Sequence, residues 1–509
     1  MSLAKGSVFL SFFGKLGSHA KHSAVVSFFQ KSRVFAEHSI ILSTLKKLPG
    51  KEDLEKGFIR SGINGRIRSR NQALESFRIR NQSFLKTSAF ASWLDTVKFL
   101  GFPVLYFVID YVLRNYVQID ILSSYWDEVI LITGFCFGFF RLIFQSEGAY
   151  NRTTPLGIPV LLFIMFYTAL MLMNSPDTAI GIEGLRAVTQ YMLWYFVALF
   201  LIGKDRDLNR VYDWFLIMGS AFALHGIYQF VMNVPMPEHW VDMAEKGVRT
   251  RSFSIIGSPN ILGSVMTLLI PMSLALFFEE KKTFKKLVYL GMTGFMGLCL
   301  IFTQSRGAWI GFGVAILAFF LIYDRRYILP AIAAGLLVFI MVPQVYDRIV
   351  YMLSEEYILS SMTGGRLVRW QTGMNMLKQN LWLGTGIGRF GGAVAMNHKD
   401  LFPDTFYMDN YYLKTAVEGG IFAFLAFAAL MISVLRWSFG ALTACKSQRK
   451  KTMIVGMLSG LIGIVVHNFF ENVFEVPAMV TYFWIVAAMI VYAGFGKTKE
   501  EAPKGKENG

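Results

Sequence analysis

The chain has 509 residues, of which 54% are hydrophobic, with a mean hydropathy of +0.46 and a formal net charge of +16. This is too apolar for an ordinary soluble protein, and the three cysteines, Cys136, Cys299 and Cys445, imply no extracellular disulfide and show no metal-ligand spacing. The charge is uneven: residues 1–98 hold seventeen Lys or Arg against six Asp or Glu. Beside a membrane, such a basic segment points to anionic lipid headgroups rather than to nucleic acid.

Residues 1–92 are predicted to form a separate basic segment on the cytoplasmic side. Phe9, Phe12, Phe13 and Leu16 recur at helical spacing beside Lys5 and Lys15, the pattern of a helix lying in the membrane surface. A partly disordered tail is the competing expectation. The apolar stretch is short and broken by Lys15 and His19, unlike a cleaved signal peptide.

From residue 97 onwards, apolar runs of roughly 18–25 residues recur, each long enough to cross a bilayer as a helix. About twelve such spans are predicted, at 97–114, 129–145, 155–173, 185–203, 211–234, 260–278, 287–304, 306–323, 327–345, 411–436, 452–470 and 474–494. The expected fold is an all-α polytopic transmembrane bundle. It occupies residues 93–496 and is followed by a polar cytoplasmic tail, 497–509. One set of loops carries Lys204, Arg206 and Arg210, then Lys281, Lys282, Lys285 and Lys286, then Arg325 and Arg326, and finally Lys446, Arg449, Lys450 and Lys451. By the positive-inside rule these loops and both termini are cytoplasmic, which puts the long 346–410 loop outside.

Three outer segments open on that same predicted face. They are the loop from Pro235 to Asn260, the tight turn TQSRGAW from Thr303, and the long loop itself. A polar stretch as long as 346–410 inside so apolar a chain is a place to look for function. Its GGRLVRW from Gly364, GTGIGRF from Gly384 and DNYYLKTAVEGG from Asp409 bring together arginines, glycines and aromatics. GTGIGRF is not a dinucleotide site, because no strand–helix alternation surrounds it. Its glycines instead suit a tight backbone turn against substrate or another helix. No Walker or zinc signature is present.

RSFSIIGSPNILG from Arg251, TQSRGAWIG, GGRLVRW, LWLGTGIGRF from Leu381 and DNYYLKTAVEGG occur in order over roughly residues 185–490. In these elements the chain resembles the O-antigen ligase and polymerase superfamily of bacterial membrane glycosyltransferases. The resemblance implies a donor glycan carried on undecaprenyl diphosphate, membrane lipids and other polysaccharide-assembly proteins as partners, no cofactor or metal, no nucleic acid, and a place in the bacterial inner (cytoplasmic) membrane.

A diphosphate leaving group needs fixed positive charge where negative charge develops, and the planar arginine fork supplies it better than lysine. Arg306 and Arg366 are therefore the candidate catalytic arginines, with Arg249, Arg251, Arg369 and Arg389 as substrate-binding candidates. The bland alternative for each is a boundary arginine that snorkels. Arg306 departs furthest from it, since a charge near the midplane costs on the order of 3 kcal/mol. Many ligases of the superfamily carry a His-Asn pair before the YL motif, with the histidine as base. Here the pair is Asp409-Asn410, making Asp409 the candidate base and Asn410 a binding residue. A helix-capping Asp409 is the rival reading. Glu418 is expected to orient a partner or to pair with an arginine. His467, followed by Asn468, is an outside candidate for the base, whereas His225 and Asp110 read as internal hydrogen-bonding groups. The activity implied is a polysaccharide polymerase; a ligase and a non-catalytic glycolipid flippase are the alternatives.

Overall fold

In a computed structural model the described residues are 76, 97–144, 154–236, 250–352, 354–363 and 365–496. The expectations for residues 1–92 (other than position 76), the 497–509 tail and Arg249 lie outside them. The chain divides into two units, Met1–Phe77 and Arg78–Gly509, and only the second is described in detail.

The described residues of the second unit form helices and no strand, an all-α polytopic architecture. The main helices are α1 (Asp120–Phe144), α2 (Gly157–Asn174), α3 (Thr178–Leu201), α4 (Asp205–Val231), α5 (Pro259–Glu279), α6 (Thr283–Thr303) and α7 (Arg306–Tyr323). After them come α8 (Ile328–Met341), α9 (Pro343–Met352), α10 (Glu355–Thr363), α11 (Arg366–Gln379), α12 (Tyr411–Ala444), α13 (Gln448–His467) and α14 (Pro477–Phe495).

Among the described residues nine helices are long and apolar enough to cross a membrane, or ten if the bent pair at α8–α9 is one span. The differences from the predicted twelve have local causes. The 97–114 run is divided into short helices, Gly101–Val104 and Tyr106–Val112. The 129–145 run is the end of α1, whose earlier turns are polar and hold Asp127 and Glu128. Asp127 accepts hydrogen bonds from Tyr106 and Tyr191 at 2.7 and 2.6 Å, and Glu128 pairs with Arg186. Helix α8 has only fourteen residues before the chain turns into amphipathic α9.

Helix starts follow their sequence signals. Ser258 caps α5 ahead of Pro259, Asp177 caps α3, and Asn410 caps α12 by accepting from the Leu413 amide at 3.0 Å. The core lies in α5, α13 and α14, the most enclosed spans. Lipid tails are as apolar as leucine, so close backbone approach rather than hydrophobicity holds such helices together. Accordingly Gly456 and Gly460 of α13 lie against the Pro271 and Leu268 carbonyls of α5, and Gly463 packs on Thr267 and Ala315.

Helix α12 is broken at Gly420, whose φ of +70° and ψ of −172° are not helical. The break frees backbone groups, and the Leu381–Gly386 segment takes them. Thr385 and Gly386 donate to the carbonyls of Val417 and Glu418 at 2.8 and 2.9 Å, and Ile421 donates to that of Leu381 at 2.8 Å. Gly384, Gly386 and Gly388 of GTGIGRF have positive φ and serve close approaches, Gly384 to the Glu418–Gly420 backbone of α12, Gly386 to the Asn174 carbonyl and Gly388 to the Ile180 carbonyl and Gly184 of α3. At the opposite ends of the helices the basic loops gather, with Lys450 bridging to Asp205 at 2.7 Å and Thr452 donating to Glu279.

Candidate catalytic site at the loop end of the bundle

Four helices, α5, α7, α11 and α12, begin at the end of the bundle that carries the long loop. A helix N-terminus carries unsatisfied N–H groups and about half a positive charge, but α6 and α13 end on the same side, so the side chains decide the sign of the site. Two of the four begin with arginine: Arg306 opens α7, and Arg366 opens α11 with Arg369 one turn on. Basic residues in a first turn oppose the dipole. Their compensation has to come from another element.

For α11 it comes from Asp409. Its buried carboxylate pairs with Arg366 Nε at 2.7 Å and Arg369 Nη2 at 3.2 Å, and accepts from Trp370 Nε1 at 3.1 Å. The helix cap of α12 is the neighbouring Asn410, so the Asp409 carboxylate is directed at the arginines instead. The two arginine side chains remain 27% and 32% exposed, so both keep surface for a ligand.

The turn before α7 is held by two further arginines. Arg251 Nε donates to the Thr303 carbonyl at 2.8 Å and Arg348 Nε to that of Gln304 at 2.9 Å, at the C-terminal end of α6 where partial negative charge collects. Arg251 also donates to Asn260 Oδ1 at 3.0 Å, and Asn260 Nδ2 in turn donates to Glu471. Arg306 lies over the Tyr357 ring at 4.7 Å, which brings α10 against the same turn. His467 packs against Gly307, hydrogen-bonds Ser264 through Nδ1 at 2.9 Å and lies within electrostatic reach of Arg366. The His467-Asn468 pair abuts Asp409-Asn410: the Tyr411 amide donates to the Asn468 carbonyl at 2.9 Å.

Residues distant in sequence are thus brought together: Arg251, Arg306, Arg366, Arg369, Asp409 and Asn410. Arg389 and Glu418 sit in an adjoining layer. Arg389 lies over the Phe402 ring at 4.9 Å and donates to the Thr385 carbonyl, within the glycine loop. Glu418 pairs with a lysine rather than an arginine: Lys414 Nζ reaches Glu418 at 3.1 Å and Glu475 at 2.7 Å. The amides of Phe390 and Ala393 donate to the same two carboxylates at 3.3 and 2.8 Å, which ties the loop to α12. His225, which is exposed, bonds Ser254, and Asp110 bonds Trp126 and the exposed Arg114, so neither is an enclosed group. His398 is paired with Glu183.

Sequence reading missed Arg348, Asn260, Tyr407, Lys414, Glu471 and Glu475. Glu471 is the most informative of these. It is 2% exposed and accepts from Asn260 Nδ2, from Tyr407 Oη at 3.4 Å and from its neighbouring Asn472 amide at 3.1 Å. Burial pushes the Glu471 carboxyl above the usual glutamate range, Asp409 adds to that, and Arg366 works against it. Burial also raises the Tyr407 hydroxyl, which stays a neutral donor. The available signal was the pair of glutamates in ENVFE, next to an apolar helix end where carboxylates are costly.

Residues 291–428 match the family model described as O-Antigen ligase. This match, running from within α6 to the first half of α12, supports the O-antigen ligase/polymerase superfamily for the chain, a family of glycosyltransferase-like membrane enzymes acting on lipid-linked glycans. A comparison with curated proteins gives no match.

Proposed function

We propose that the protein is a polysaccharide polymerase that transfers a growing glycan from undecaprenyl diphosphate to the sugar end of a second lipid-linked repeat unit. The observation that carries this reading is the convergence of Arg251, Arg306, Arg348, Arg366 and Arg369 on the 303–306 turn and the starts of α7 and α11. The carboxylates bonded into that network are Asp409 and Glu471. Such an excess of fixed positive charge suits a leaving diphosphate, whose charge grows as the glycosidic bond breaks.

In this reading Arg306, Arg366 and Arg369 contact the diphosphate, and Asp409 holds the α11 pair in position until the ligand arrives. Arg251 and Arg348 fix the 303–306 turn from behind, and Asn410 fixes the start of α12. The polyprenyl chains lie among the apolar helices, and the loop face is extracytoplasmic in a bacterial inner membrane with both termini cytoplasmic. The partners are undecaprenyl-diphosphate-linked glycans, membrane lipids and other polysaccharide-assembly proteins.

A comparison of lipid-linked glycans in cells with and without the chain tests the assignment. Loss of the polymer ladder with accumulation of single repeat units supports the polymerase. A normal ladder retained on the carrier lipid identifies a ligase instead, and repeat units trapped on the inner leaflet identify a flippase. Arg306→Ala and Arg366→Ala should each abolish transfer without affecting membrane insertion. Unchanged products in both variants would overturn the arginine assignment.

A further inference from the structure

The two carboxylates of the site live in opposite surroundings. Asp409 is bonded by two guanidinium groups and an indole N–H. Glu471 has no lysine or arginine nitrogen within 4 Å among the described residues, and its donors, Asn260, Tyr407 and the Asn472 amide, are all uncharged. The Asp409 carboxylate is thus occupied by cations, whereas Glu471 offers a carboxylate bonded only by neutral donors, the kind of group that can take up and release a proton.

We propose that Glu471 is the proton acceptor of the transfer reaction and that Asp409 acts by holding Arg366 and Arg369; this rests on the transferase reading given above. The acceptor hydroxyl oxygen forms a bond to the donor's anomeric carbon, and its proton passes to a Glu471 carboxylate oxygen. The bond from the anomeric carbon to the phosphate oxygen breaks, and its electron pair leaves with the diphosphate beside the arginines. Proton release from Glu471 to water then resets the site.

Position supports the assignment. Glu471 follows directly on the C-terminal end of α13, its amide donating to the His467 carbonyl at 3.1 Å. The groups facing it from the packed elements are Asn260 of α5 (with Arg251 behind it), Tyr407 and Asp409 of the long loop, Arg366 of α11, and His467 of its own element. Arg366 is bonded to Asp409 and its charge favours the ionised form of Glu471. That arrangement sets a proton acceptor beside the cation proposed for the leaving group. Acceptor attack and diphosphate departure can then occur in one compact site.

The test uses the full chain in lipid nanodiscs and lipid-linked repeat units extracted from cells that lack it. Glu471→Gln should lower turnover roughly 10²–10⁴-fold, the range for loss of a general base. Binding of the same repeat units, read by thermal stabilisation, should stay within about threefold, because the amide preserves shape and the arginines are untouched. Tyr407→Phe removes a donor to the ionised carboxylate, so the acid limb of its kcat/KM profile should move to higher pH. Full turnover in Glu471→Gln would overturn the proposal, as would an acid limb in Tyr407→Phe identical to wild type. If Glu471→Gln fails to fold, the Tyr407→Phe profile decides alone. Absence of transfer in the wild-type protein would instead refute the transferase reading.

Discussion

Replacing Gly420 with alanine should undock the glycine loop from α12. At φ +70° and ψ −172° the backbone lies where side chains are strained by about 1–3 kcal/mol. The added Cβ would also collide with the Trp382 carbonyl and stand 2.6 Å from the Leu383 amide nitrogen. A backbone segment cannot yield as a flexible side chain would. The only relief is to move Leu381–Gly386 away, which breaks three hydrogen bonds of 2.8–2.9 Å. At about 1 kcal/mol each, their loss comes to about 3 kcal/mol. Staying docked stores the strain and the collision instead, so either route costs at least about 2–3 kcal/mol. For a domain of 150–250 residues each kcal/mol moves the melting temperature by about 2–4 °C. A fall of about 5 °C is therefore expected here, measured at one scan rate in one detergent because membrane proteins often unfold irreversibly.

Gly440→Ala, in the same helix, is the control. Its Cβ would meet only Phe495 and Trp437 at 3.7 and 3.8 Å, ordinary contact distances. At a helical position this change should be neutral or gain about 0.4–1 kcal/mol. Limited proteolysis should cut Gly420→Ala faster within 381–393 and leave Gly440→Ala as resistant as wild type. If both variants melt and digest alike, the break in α12 is not what anchors the loop.

Two further outcomes follow from the site. Asn410→Ala removes the side-chain cap from α12 and should cost about 1 kcal/mol, read as a lower melting temperature; no change would mean that water replaces the cap fully. Glu471 sets a pH dependence whose sign is fixed by its raised folded value. Its contribution to stability is fully present below the ordinary glutamate pKa of about 4.3 and is lost as pH rises through the folded value. Glu471→Gln, always neutral, should therefore gain stability over wild type as pH rises from 4 to 8. A difference that stays constant across that range would refute the buried, uncharged-donor environment.

Much of this protein was legible in its sequence, because membrane helices are written locally. A span needs about 20 apolar residues wherever it sits, so α2 to α7 and α12 to α14 stood out by hydropathy alone. The cap of α12 was less legible: the sequence offered Asp409 for it, and Asn410 fills that place. The arginines of TQSRGAW and GGRLVRW drew attention because charge beside apolar helices is costly and rarely idle.

Tertiary structure decided the rest, since pairing depends on which helix ends meet. Asp409 read as either a cap or a base; the cap is Asn410, and the Asp409 carboxylate is bonded to two arginines that no local pattern assigns to it. Glu418 found a lysine four residues before it and a second glutamate 57 positions on. Glu471 became a candidate only when Asn260, 211 residues earlier, was seen to donate to it. Arg348 showed as part of the site only through its bond to Gln304. Composition and hydropathy fix where a chain enters and leaves an apolar phase; the partners of a buried charge are fixed by the packing of helices, which no local pattern records.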